Sequence, residues 1–303
     1  MLQTGFNRIQ IGRANDRTQL AAYHRHVAGL KRDVLGRRAA LGEEYLHKYA
    51  AAGAGQVIPR DTGILSLDMR DSRVVREAVA EGAGFIRERA ERPLKVTQGL
   101  TYYATGAELL ETSAMVAAAW SPEILAPIIR YFGMLPIFVD VNFTRPNATE
   151  FKPKTIHAFH TDPDDVTNMK VFIHLSDVDE GCGPFHALPA ADSAKVDLAL
   201  GYPPGTAMDE DIERVIGPLR AVPSLGPAGV VTFCDTSRCY HFGARPPSGA
   251  GPPRDQAILR FILPTATIYP QHAGDGDPPR TMPNLSERDG DEIWNAFIGA
   301  SLV

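Results

Sequence analysis

Met169-Lys-Val-Phe-Ile-His-Leu-Ser176 decides the fold class. Met169, Val171, Ile173 and Leu175 alternate with Lys170, Phe172, His174 and Ser176, the two-residue period of a β-strand. Outward from it, 184–188, 219–222, 229–234 and 256–263 read as further strands, separated by Gly/Pro turns. Upstream, Ile137–Phe143 is strand-like and 151–161 extended. Many short strands with such turns predict a sandwich or barrel. Short helices are expected at 191–200, 209–216 and near 290–299.

The front of the chain differs. Leu20, Tyr23, Val27, Leu30, Val34, Leu41 and Leu46 recur at near-helical steps, and residues 16–50 hold no proline. Ser72 can cap a helix over 73–91, and another covers 106–119. Ser121-Pro122-Glu123 reads as cap, first-turn proline and first-turn acid, opening a helix to about Phe132. The 303 residues therefore read as one α+β domain with a mainly β core. Its parts are a mainly helical 1–135, a barrel core over 136–264 and an irregular tail over 265–303.

Charge narrows the function. With 31 basic and 36 acidic side chains the net charge is −5, which argues against a nucleic-acid partner. No apolar run approaches the ~20 residues that span a bilayer, and Met1-Leu2-Gln3-Thr4 lacks a signal pattern. Cys182, Cys234 and Cys239 form no CxxC and cannot all pair, so packed thiols in a reducing cytoplasm are expected. The partner expected is a small-molecule substrate.

Nucleophile-elbow, phosphate-loop and zinc-helix motifs are absent from the sequence. His160-Thr-Asp162 is different, because residues i and i+2 of a strand share a face and can converge on one metal. A second histidine, His241, follows 79 residues after Asp162, just past the strand-like Gly229–Cys234. Two histidines and one carboxylate leave open positions, the facial arrangement of non-haem Fe(II) oxygenases.

His160-Thr-Asp162, Lys170–Val178, Gly183-Pro-Phe185 with Leu188-Pro189, and Pro227–Phe233 leading to His241 resemble the phytanoyl-CoA dioxygenase family. The resemblance covers roughly residues 136–264. It implies a jelly-roll (double-stranded β-helix, cupin-like) barrel carrying a helical extension. It also implies an Fe(II)- and 2-oxoglutarate-dependent dioxygenase that uses O2 to hydroxylate or otherwise oxidise a C–H bond, releasing succinate and CO2. His160, Asp162 and His241 are then the iron ligands. The resemblance further places an arginine on the last strand to grip the distal carboxylate of 2-oxoglutarate, where a guanidinium fork matches the carboxylate. Arg254 and Arg260 both qualify; Arg254 fits the family offset better. Pro189-Ala-Ala-Asp192 departs from the family's usual Pro-Gly-Ser-His. Asp162 stands where halogenating relatives carry a small residue, which disfavours halogenation.

A cupin-like metalloenzyme with the same triad and no 2-oxoglutarate is the alternative reading. His157 is expected to pack or face outward, His174 to be hydrogen-bonded structurally, and Asp164 and Asp165 to be solvated. His186, Asn142 and Thr144 are minor candidates for ligand contacts.

Overall fold

Residues 169–174 form a strand in which Lys170 alone is partly exposed and the other five residues are buried. The computed structural model describes residues 17–49, 55–97, 99–146, 156–162, 165–200, 206–245, 253–266, 282 and 284–300. Met169, Val171 and Ile173 are buried in the main hydrophobic core, while Phe172 and His174 are buried on the opposite face. The more polar side of the alternation is therefore an interior surface.

The helices are α1 (Arg17–Leu30), α2 (Arg32–Lys48), α3 (Arg73–Glu88), α4 (Ala114–Trp120), α5 (Pro122–Phe132), α6 (Ala190–Ala199), α7 (Asp209–Ile216) and α8 (Glu292–Phe297). The strands are β1 (Ile64–Asp68), β2 (Lys95–Val96), β3 (Leu100–Thr105), β4 (Ile137–Pro146), β5 (Phe159–His160) and β6 (Met169–His174). They continue with β7 (His186–Ala187), β8 (Thr206–Ala207), β9 (Val222–Pro223), β10 (Val230–Asp235), β11 (His241–Phe242) and β12 (Gln256–Ile262). A seven-stranded sheet runs β1-β10-β6-β12-β4-β3-β2 and a five-stranded sheet β8-β5-β11-β7-β9. Their pairings are antiparallel. The inner faces meet: Phe172 of the large sheet stacks on Phe185 beside β7, with ring centroids 4.2 Å apart.

Helices cover the outer face of the large sheet. Val75, Ala78 and Ile86 of α3 and Ile124, Leu125 and Ile128 of α5 share one core with Val141, Phe143, Val171, Ile173 and Leu259. Ser72 caps α3 through Val75 N–H, as its sequence position predicts. Gly82 lets α3 lie close to the sheet, since a Cβ there would stand 2.9 Å from Leu175.

Three differences from the sequence expectation have physical causes. The expected 106–119 helix is a 3₁₀ turn at Gly106–Glu108 followed by α4, because Ser113 accepts from Met115 N–H and starts the helix there. Ser121 does not cap α5; its hydroxyl donates to Ala118 O instead. The front also contributes β1 and β3 to the sheet, through pairings with β10 and β4 that local patterning cannot show. Of the extended stretch 151–161, residues 151–155 lie outside the described residues, and so do 267–281, 283 and 301–303 of the expected irregular tail.

Arg38 ties α2 to the segment that leads into β4 and to α8. Its buried guanidinium donates to the carbonyls of Leu135 (2.9 Å), Pro136 (2.8 Å) and Ala296 (2.9 Å). Arg38→Met strands these buried acceptors, and a loss of about 3–5 kcal/mol is expected in urea unfolding.

Candidate metal centre

Register brings the two histidines of the sequence motif together. β5 pairs with β11 so that His160 lies directly opposite His241, and the rings are 4.2 Å apart. Each imidazole is oriented by its own strand. His160 Nδ1–H donates to Ala158 O and His241 Nδ1–H to Cys239 O, both at 3.0 Å. A carbonyl can only accept, so the proton sits on Nδ1 and each Nε2 keeps a lone pair free for a metal.

Asp162 lies just beyond β5, where its N–H donates to Thr236 O at 2.9 Å. Thr236 belongs to the turn between β10 and β11, and that turn is fixed from outside. The buried Asp235 carboxylate accepts from Tyr131 OH (2.8 Å), Thr167 OH (2.7 Å) and Asn168 N–H (3.1 Å). Tyr131 comes from α5, so the helical front braces the turn that delivers His241. One ligand atom from each of His160, Asp162 and His241 lies within 4.8 Å of the others. Two neutral imidazoles and one carboxylate suit a divalent transition metal.

Electrostatics favours metal-ready protonation states. Burial lowers His160, and burial together with His160 pushes His241 down to about 3. Burial alone would raise Asp162, but the Lys170 ammonium and the two imidazoles outweigh it and hold the carboxyl below its usual range. Lys170 was not a sequence candidate. It projects from the inner face of β6 and places Nζ 2.7 Å from Asp162 Oδ2.

His160 and His241 open into a cavity of about 90 Å³ lined also by Leu100, Lys170, Phe172, Phe242, Arg254 and Gln256, among others. Arg254 is 3% exposed, Nη1 donates to Gln256 Oε1 at 2.6 Å, and Nε has no hydrogen-bond partner. Among the described residues no carboxylate pairs with Arg254, and burial pushes it down to about 10. Gly243 makes room for it, because a Cβ there would lie 3.3 Å from Nη2. Arg260 occupies the other end of the same strand, opposite Asp140, whose carboxyl it acts on electrostatically.

The remaining candidates are placed as follows. His174 is buried, bonds Ser224 Oγ through Nε2 at 2.9 Å, and is pushed down to about 4 chiefly by burial. His157 is buried and its carbonyl accepts from Arg245. His186 stacks on Phe242 with centroids 4.6 Å apart. Asn142 donates to Asp140, and Thr144 accepts from Gln256. The expectation of a solvated Asp165 is corrected: it is fully buried, accepting from Thr265 OH at 2.8 Å and bonded to His24 at 2.7 Å. Asp164 lies outside the described residues. The three cysteines are free and buried.

A pH effect follows for the metal-free protein. His174 and His241 titrate near 6.5 when unfolded but near 4 and 3 when folded, so below pH 6.5 the unfolded chain binds more protons. Stability is complete above that pH and falls by about 1.4 kcal/mol per unit for each histidine as pH drops toward the folded values. Urea unfolding at pH 7.5 and 5 is expected to differ by about 2–4 kcal/mol; equal stabilities contradict the buried neutral imidazoles.

No protein-family model and no curated protein matches the sequence. Solved structures do. The non-haem α-ketoglutarate-dependent epimerase SnoN from nogalamycin biosynthesis is 19% identical over 81% of this chain and 97% of its own, with a TM-score of 0.46. EctD from S. alaskensis, holding 2-oxoglutarate and 5-hydroxyectoine, is 17% identical over 71% of this chain and 75% of its own, at 0.45. HygX from Streptomyces hygroscopicus, holding nickel, 2-oxoglutarate and hygromycin B, is 14% identical over 67% and 83%, at 0.43. No helix among the described residues is long and apolar enough to cross a membrane.

Proposed function

We propose that the protein is an Fe(II)- and 2-oxoglutarate-dependent dioxygenase that oxidises a C–H bond of a small molecule, most simply by hydroxylation, on a jelly-roll barrel of the phytanoyl-CoA dioxygenase type. The observation that carries this reading is the pairing of two features in one cavity. His160 and His241 of the two-histidine, one-carboxylate donor set line it, and so does the buried guanidinium of Arg254, which no carboxylate among the described residues partners. A buried cation left unmatched is costly. A second carboxylate reaching Arg254 from the metal site would match it, and 2-oxoglutarate has that form.

Fe(II) with 2-oxoglutarate and O2 supplies the oxidising power for C–H cleavage, with succinate and CO2 as co-products. The chain's own residues hold and shield. His160, Asp162 and His241 would hold the metal through one ligand atom each, and three protein ligands would leave positions for the co-substrate. The Nδ1–H bonds to Ala158 and Cys239 keep both Nε2 atoms aimed at the site. Arg254 orients the co-substrate carboxylate with its fork. Phe172, Phe185 and Phe242 exclude water from the reacting side.

Succinate release from 2-oxoglutarate in air tests the reading. It is expected to require Fe(II) and to vanish in His160→Ala. Metal-dependent oxidation that proceeds without 2-oxoglutarate would instead favour the cupin-like alternative.

A further inference from the structure

We propose that Lys170 is an anion anchor for the substrate, so that the substrate carries a carboxylate or phosphate close to the bond that reacts. This rests on the metal and 2-oxoglutarate reading above and adds a substrate class to it. Lys170 lines the same cavity as Arg254. In register it lies across from Arg260, six positions along the chain from Arg254, or about 20 Å of strand. Two cations thus line one cavity.

Their charges are not matched alike. Arg260, beside Lys170, faces Asp140 across β4. Among the described residues Lys170 forms its ion pair with Asp162, 2.7 Å away, and its side chain is 23% exposed. Metal binding changes that balance. A divalent ion, Asp162, the 2-oxoglutarate dianion and Arg254 are together neutral, so Lys170 is left as a surplus, partly buried positive charge. An ammonium has three N–H donors, and a single ion pair with Asp162 leaves donors for a further acceptor at the cavity. Leu100 and Phe242 in the same lining offer no negative charge. An oxyanion on the substrate satisfies both the charge and the free donors, and would fix the substrate beside the metal ligands.

The probe is trifluoroacetate, added to Mn(II)-loaded protein saturated with 2-oxoglutarate so that Arg254 is already engaged. Its ¹⁹F relaxation reports approach to the paramagnetic ion. In the wild type a saturable enhancement is expected, with apparent affinity about tenfold weaker in Lys170→Met and Lys170→Gln and largely retained in Lys170→Arg. Neutral trifluoroethanol is expected to behave alike in all four proteins. Equal enhancement of trifluoroacetate in the wild type and in folded, Mn(II)-binding Met or Gln variants would overturn the proposal while leaving the metal site intact. Mn(II) binding that is unaffected by His160→Ala would overturn the underlying reading as well.

Discussion

Arg254→Met is expected to weaken 2-oxoglutarate binding by about a hundredfold while leaving the metal-free protein as stable as the wild type, or more so. The two effects have one cause. In the metal-free protein the guanidinium is buried, its Nε is unpartnered and no described carboxylate balances it. Replacing an unmatched buried charge by an apolar side chain of similar length removes a desolvation cost. With the co-substrate present the sign reverses, because its distal carboxylate then loses its fork; a loss of about 3 kcal/mol corresponds to that hundredfold. Titration calorimetry of 2-oxoglutarate into Mn(II)-loaded protein, together with urea unfolding of the metal-free protein, reads both. A destabilised variant with unchanged 2-oxoglutarate affinity would make Arg254 a structural residue bonded to Gln256.

Asp162→Ala moves stability the other way. Metal affinity is expected to fall by more than the tenfold to hundredfold that loss of a supporting residue costs, because a ligand itself is removed. The metal-free protein is also expected to lose about 1–3 kcal/mol, since Lys170 forfeits its 2.7 Å partner in a partly buried place. Chelator competition measures the first effect and urea unfolding the second. A variant that binds metal like the wild type would remove Asp162 from the centre.

The candidate ligands were legible in the sequence because strand geometry is local: His160 and Asp162 are two residues apart, and His241 follows a recognisable strand. What surrounds them was not. Lys170 reads as the polar side of an amphipathic strand, and only the packing of one sheet on the other turns that side into the wall of a cavity. Asp165 looks like a loop carboxylate, yet its partners His24 and Thr265 lie 141 and 100 residues away. The spacing of Arg254 and Arg260 placed them on one face of a strand, but their distinct surroundings come from Gly243 on one side and Asp140 on the other. β1 carries a legible signal, since Leu65 and Leu67 alternate with Ser66 and Asp68, but its place in the sheet does not follow from it. The partners of β1 and β3, β10 and β4, lie elsewhere in the chain.

The helical front shows the converse. Its helices were readable from periodicity, while their task was not. α5 sends Tyr131 to Asp235, and Asp235 holds the turn from which both Thr236 and His241 act on the site. Packing thus links a helix of the front to the aim of a metal ligand.

The most direct test of the account is anaerobic addition of 2-oxoglutarate to the Fe(II)-loaded protein, followed by visible absorption. The account predicts a metal-to-ligand charge-transfer band in the wild type that disappears in Asp162→Ala and needs far more 2-oxoglutarate in Arg254→Met. Fe(II) bound through His160 and His241 with no such band at saturating 2-oxoglutarate would contradict it.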